Sequence, residues 1–194
     1  MVEKRAVSER ALAELIEQLG RCAYGDAFTD GLNPAQWTAL RYFGRANRFS
    51  RTVSAFALYH GTTRGTASQT VKALVEKRYL RRRPVKTDQR SFRLELTAKA
   101  RKFLAQDPFD DLVSAAEVLS AERRTFVVDG LQAILGRLVK HRGGPLFGVC
   151  PSCAHLRGEG CCLQSGSPYE CGLFGEPLSE EELAEICVNY EPAA

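Results

Sequence analysis

Residues 62–97 read TTRGTASQTVKALVEKRYLRRRPVKTDQRSFRLELT, and the fold turns on them. Thr62 or Thr63 can cap a helix running to about Lys77. Ala67, Val71, Leu74 and Val75 recur at helical spacing and mark its inner face. That leaves Arg64, Gly65, Thr66, Ser68, Gln69 and Lys72 facing outward. Leu80 to Pro84 and Phe92 to Leu96 then read as two strands. The second alternates, with Phe92, Leu94 and Leu96 turned in and Arg93 and Glu95 turned out. Three adjacent arginines on an alternating strand cannot share one face, so Arg82 opposes Arg81 and Arg83.

The flanking segments extend the pattern in both directions. Leu12, Leu15, Ile16 and Leu19 share one helical face between residue 7 and about residue 20. Asn33 caps a helix with Pro34 at its first position, and Trp37, Leu40 and Phe43 give it an apolar stripe. Thr52 to Tyr59 reads as a short helix closed by His60-Gly61, a tight turn before the helix that follows. Thr97 caps another helix. Ser120 opens the last long one, in which Val127, Leu131, Ile134, Leu135 and Leu138 recur at helical spacing. Gly143-Gly144-Pro145 ends it as a linker. A helix, a tight turn, a second helix and a basic two-stranded wing make a winged helix-turn-helix.

Charge is distributed unevenly along the 194 residues. The net charge is +4, but between Arg64 and Lys102 there are 13 Lys/Arg against Glu76, Asp88 and Glu95. Between Gly143 and Ala194 there are eight Glu and one basic residue, Arg157. A basic middle suits a polyanion. An acidic tail is expected to stay clear of phosphates. No apolar run is long enough to span a membrane, and no secretion signal is legible, so a cytoplasmic protein is expected.

Here the residues carry a family resemblance. Leu32-Asn33-Pro34-Ala35-Gln36-Trp37, Thr66-Ala67-Ser68-Gln69-Thr70-Val71-Lys72-Ala73-Leu74, Tyr79-Leu80 and the wing Asp88 to Thr97 resemble the MarR family of bacterial transcription regulators. The D-x-R wing ending in L-x-L-T is the most specific part. The resemblance implies an obligate homodimer, with the first and last helices at its interface, and double-stranded DNA as partner. It implies that Arg90 reaches toward the minor groove and that Asp88 holds it in place by charge. Gln69 can pair with adenine's edge and Arg64 or Lys72 with guanine's. Thr66 and Ser68 share that face. Arg81, Arg82, Arg83 and Lys86 are expected to meet phosphates, which sets affinity and salt dependence. One residue departs from the family. Arg78 stands where Gly usually ends the recognition helix in a left-handed conformation. It must bear about 1 kcal/mol of strain there or end the helix differently.

The second feature is chemical. Six of the seven cysteines are Cys150, Cys153, Cys161, Cys162, Cys171 and Cys187. A C-x-x-C pair brings two sulfurs to one side, and a reducing compartment disfavours disulfides. A single zinc wants four ligands in a closed tetrahedron. Iron–sulfur clusters usually take four thiolates. Only one C-x-x-C is present, and spread single cysteines suit a cluster held by loops at least as well as a zinc knuckle. A metal-free thiol switch and a Cys₃His zinc site using His155 are the other readings. The segment also resembles a cysteine-rich extension found on some regulators of this family, in Cys171-Gly172-Leu173-Phe174-Gly175-Glu176-Pro177-Leu178, Ile186-Cys187 and Glu191-Pro192. That resemblance implies Cys150, Cys153, Cys171 and Cys187 as ligands, with Cys162 and Cys161 as alternates.

The expectation is therefore a mostly α protein with a small β wing: a winged helix-turn-helix, a helical dimerisation region and a small metal-binding C-terminal tail. Its segments are an N-terminal dimerisation helix (1–31), the DNA-binding domain (32–104), C-terminal dimerisation helices (105–142) and the cysteine-rich tail (145–194). Its function would be a dimeric DNA-binding regulator whose iron–sulfur cluster senses redox, oxygen or iron state. A structural zinc with a small molecule as signal is the alternative, and a cluster-carrying electron-transfer protein a remote one. No nucleophile–base pair, phosphate loop or carboxylate pair suggests an enzyme. Cys22 is read as a small core residue, and His60 and His141 as cations at helix C-termini. Ser179 and Glu182 should open a helix that carries Leu183 and Ile186 on one face and presents Cys187.

Overall fold

The computed structural model describes residues 7–24, 31–85, 88–158 and 167–193, with only the backbone of residues 24, 85 and 88–91. Helices α1 (Glu9–Tyr24), α2 (Pro34–Arg45), α3 (Val53–His60) and α4 (Arg64–Glu76) lead into strands β1 (Leu80–Val85) and β2 (Asp88–Leu96). Then come α5 (Ala98–Leu104), α6 (Asp110–Ala115) and the long α7 (Ala121–His141). The tail holds β3 (Leu156–Arg157), β4 (Tyr169–Cys171), β5 (Glu176–Leu178) and the single-turn α8 (Glu180–Leu183).

Local chemistry sets the boundaries. The Asn33 side chain accepts from the Gln36 amide while the Gln36 side chain accepts from the Asn33 amide, a reciprocal capping box, with Pro34 inside it. Thr52, Thr63, Thr97 and Ser120 each accept from the third amide of their helices. Gly61 ends α3 in the left-handed conformation. Arg78 does the same after α4, at φ 62°. Its amide donates to Val75 and the Tyr79 amide to Leu74, the paired bonds of a Schellman ending. The left-handed ending that usually takes Gly is kept, and Arg78 bears the strain.

The core of the winged helix is Trp37, Leu40, Tyr42 and Phe43 from α2, Phe56 from α3, Ala67, Val71 and Leu74 from α4, and Leu80 and Leu94 from the wing. β1 and β2 pair antiparallel, Leu80 opposite Leu96 and Arg82 opposite Leu94. The Arg51 carbonyl accepts from the Leu94 amide, so the loop after α2 lies against the wing. Phe92 departs from the expected alternation. It is 37% exposed, because the hairpin projects beyond the core there, and Arg82 lies over its ring. Arg41 and Asp107 form a two-pronged ion pair at 2.6 and 2.5 Å that ties α2 to the turn before α6.

The apolar faces of α1 and α7 are uncovered. Leu12, Leu15 and Leu19, and Phe126, Val127, Leu131, Leu135 and Leu138, are all at least 40% exposed. Cys22 is exposed on α1, not in a core. His60 lies in the last turn of α3 and stacks on Phe56, and burial lowers its pKa.

The tail is not an appendage on a linker. Ile186 bridges Ala46 in parallel register, and Ile186 and Val188 join the core of the winged helix. The capping box at Ser179 and Glu182 forms as expected. However, α8 ends at Leu183, so Ile186 and Cys187 lie beyond it. Cys187 is presented instead by an extended bridge to Gly148. Among the described residues no helix is long and apolar enough to cross a membrane.

Candidate DNA-binding face and thiol site

The outward face of α4 is clear. Ala67, Val71 and Leu74 are buried, while Arg64, Gly65, Thr66, Ser68, Gln69 and Lys72 are exposed. Thr66 shares a hydrogen bond with Thr63, and Lys72 makes a long, exposed contact with Glu76 at 3.9 Å. Among the described residues, the side chains of Arg64, Ser68 and Gln69 are uncommitted. The face thus has one cationic end, one amide and two small hydroxyls at helical spacing.

The wing arginines divide as the pleat requires. Arg81 and Arg83 share a face, and both hold Glu95, at 2.8 and 3.1 Å. Burial alone would raise the Glu95 pKa, but hydrogen bonds from Arg81 and Arg83 outweigh it and hold the carboxylate below its usual range. These two expected phosphate contacts are therefore already ion-paired, though more than half exposed. Lys86 lies outside the described residues. Asp88 and Arg90 lie in β2, where only the backbone is described, so the expected contact between them falls outside as well.

The thiol site is assembled from three separated pieces of chain. Cys150 and Cys153 flank a 3₁₀ turn, closed by the Cys153 amide donating to the Cys150 carbonyl at 2.9 Å. Cys171 ends β4, paired with Leu156 of β3. Cys187 pairs with Gly148 through two backbone hydrogen bonds at 3.1 and 2.8 Å. Gly148 admits no side chain, since a Cβ would stand 2.8 Å from the Tyr190 ring. Sequence reading passed over both residues. None of these four cysteines is in a disulfide, and Cys150 and Cys187 are buried. Cys161 and Cys162 lie outside the described residues.

Burial first, then the neighbouring Cys187, Cys153 and Cys171, and last Glu182, push the Cys150 thiol up to about 11. Its Sγ also lies 4.0 Å from the Glu182 carbonyl oxygen. Soft, unpaired thiols are the donor type that a thiophilic metal or an iron–sulfur cluster takes. Among the described residues, no group of three or more His, Cys, Asp or Glu is drawn in to the geometry of a single metal ion. His155 is not among the groups acting on Cys150. It faces Glu191 at 3.2 Å.

A cavity of about 410 Å³ lies between α2 and the α5–α6 turn, bounded by Arg41, Tyr42, Arg45, Tyr59, Phe109 and the tail's Ile186 among others.

Fold and exposed helix face define the class: a winged helix-turn-helix protein. Residues 30–91 match the family model described as MarR family. A MarR transcriptional regulator from Methanosarcina mazei Go1 is similar in structure at 20% identity. It covers 68% of this chain and 99% of its own, with a TM-score of 0.54. The MepR–DNA complex of S. aureus gives 19% identity, 68% and 99% coverage and a TM-score of 0.54. The transcriptional regulator BldR from Sulfolobus solfataricus gives 20%, 66% and 95%, and 0.53. These likenesses concern the fold. No curated protein matches.

Proposed function

We propose that this chain is a homodimeric regulator of transcription that binds double-stranded DNA through α4 and the wing, and carries an iron–sulfur cluster on Cys150, Cys153, Cys171 and Cys187. The DNA reading rests on the uncommitted outward face of α4, on the MarR-type segment that contains it, and on a similar fold seen in a MepR–DNA complex. Arg64, Thr66, Ser68, Gln69 and Lys72 read base edges from the major groove. Arg81, Arg83, Lys86 and Arg90 follow the backbone and minor groove, with Asp88 holding Arg90. The exposed apolar stripes of α1 and α7 suit a two-fold partner.

The single observation that carries the cluster reading is the convergence of four unpaired thiols from three chain segments around buried Cys150. When bound, the cluster supplies a centre whose redox state and integrity respond to oxygen and iron. The protein's part is to hold the thiolates in a half-buried pocket and to couple that pocket to the DNA-binding face. A structural zinc, with a small molecule in the cavity beside Arg41 and Tyr59 as signal, is the second reading, favoured by that cavity's size.

Anaerobic purification with iron, sulfide and zinc analysis tests the site. Matched iron and sulfide that disappear in Cys150→Ser support the cluster. One zinc per chain replaces it with the second reading. For DNA, Gln69→Ala is expected to cost about 1–3 kcal/mol at one base position, read by competition with mutated duplexes. Equal affinity for every duplex would overturn the assignment of the face.

A further inference from the structure

The thiol pocket and the winged helix meet over a short stretch that belongs to both. Cys187 faces the thiols, and its neighbours Ile186 and Val188 face the lobe. The Ile186 amide donates to the Arg45 carbonyl at 2.7 Å, the Asn47 amide to the Ile186 carbonyl at 2.9 Å, and the Val188 amide to Ser50 Oγ at 3.1 Å. Glu182 shares both roles in one residue. Its carbonyl oxygen lies near Cys150 Sγ, while its carboxylate accepts from Arg48 at 2.6 Å through both oxygens. Arg48 also donates to the Pro177 carbonyl and reaches Glu176 at 3.4 Å. Arg51 pairs with Glu185 at 2.9 Å. Phe174 of the tail stacks on Phe49, with ring centres 4.1 Å apart.

All of these lobe contacts fall on residues 45–51, the corner between α2 and α3. That corner is also wired to the DNA-facing parts. Thr52, the next residue, caps α3, and α3 packs on α4. The Arg51 carbonyl holds the Leu94 amide of the wing, while its guanidinium braces the Ala46 carbonyl across the turn. Asn47 is buried and accepts from the Ser50 amide, and Tyr42 donates to the Ser50 carbonyl. The acids that meet Arg48 and Arg51 all come from the tail, so the acidic character that would keep the tail off phosphates serves to grip the lobe.

We infer that the thiol site controls DNA binding within each subunit through the 45–51 corner, with Arg48 and Arg51 as the positioning residues that transmit its state. This rests on the cluster reading above. The route is the corner and not α7, because residues 182–188, which include Cys187, touch the corner directly. Ion pairs of this kind, half-buried and, at Arg48, made with several hydrogen bonds, hold geometry more than they add stability. Coupling then requires only that the docked tail favour one arrangement of the corner.

The test compares DNA affinity of the anaerobically loaded full chain with that of the same protein stripped by chelator, using a duplex selected from a random pool by the loaded protein. The wild-type ratio is expected to be about 5- to 150-fold. In Arg48→Ala/Arg51→Ala, iron and sulfide content should persist while the ratio falls to near one. A ratio unchanged in that variant overturns the inference. A three-residue insertion between Gly143 and Gly144, which loosens α7 from the tail, should leave the ratio intact; if it abolishes the ratio, the route is through α7. Hydrogen exchange on the wild type needs no variant. Stripping should speed exchange at the amides of Asn47 and Ile186 more than within α7, and the reverse order counts against the corner. A wild type without iron and sulfide fails the cluster reading instead, a result that metal analysis alone reveals.

Discussion

Between residues 31 and 104 the chain buries Trp37, Tyr42, Phe43, Phe56, Leu74 and Leu94 against one another. Among the described residues between 145 and 193 the buried apolar side chains are Leu178, Ile186 and Val188, beside Cys150 and Cys187, and two of these pack into the other region's core. The winged helix carries its own core. The tail, with strands of two or three residues and one turn of helix, does not. It holds its shape by leaning on the lobe. A segment of that size usually needs a staple or a metal to fold.

The largest expected effect tests the lobe's self-sufficiency. Phe56→Ala should cost about 3–5 kcal/mol and unfold lobe and tail together in a denaturant melt. If the tail survived it, the dependence described here would be reversed. Next comes the dependence itself. Ile186→Ala should cost about 2–3 kcal/mol, but as local loss: exchange at Asn47 and Cys187 quickens while α4 stays protected. Uniform loss across the lobe would make Ile186 an ordinary core residue.

A smaller effect sharpens the comparison from within the lobe. Arg78→Gly should raise stability by about 1 kcal/mol, since the left-handed conformation at φ 62° costs a side chain that much. An unchanged melting temperature would mean that the strain is compensated elsewhere. The smallest concerns the wing. The pKa of Glu95 is lowered in the fold, so its pairs with Arg81 and Arg83 contribute above the usual carboxylate pKa of about 4.3. That contribution is lost as pH falls through the lowered folded value. Exposed pairs contribute only about 0.2–1 kcal/mol, so Glu95→Gln should flatten the acid limb of a stability–pH curve slightly. It should leave neutral stability little changed.

Helix-capping residues announce themselves in a sequence because their partner is three residues away. Asn33, Thr97, Ser120 and Ser179 were legible for that reason, as was Thr63 with Thr62 as its alternative, and each caps; Thr52, read as the first residue of its helix, caps it instead. The inward triad Ala67, Val71 and Leu74 was legible by period, which also fixed the outward face. Period fails where an element outruns its support. Phe92 keeps the alternation of its strand yet lies past the core edge, and α8 stops after one turn, short of Ile186. The four cysteines were visible as chemistry, but their neighbours were not. Gly148 is required by a ring 42 residues away, at Tyr190.

What the sequence determined by itself is the winged helix, the outward face of α4 and a cysteine-rich tail, because local periodicity, capping and residue chemistry encode each of them. What only the tertiary structure decided is where that tail docks. Arg48 and Arg51 pair with Glu182 and Glu185 across 134 positions, and Ile186 completes a core built by residues 32–100. No local pattern specifies such a pairing. It follows from two incomplete surfaces, one cationic and one anionic, that bury apolar area only when they meet.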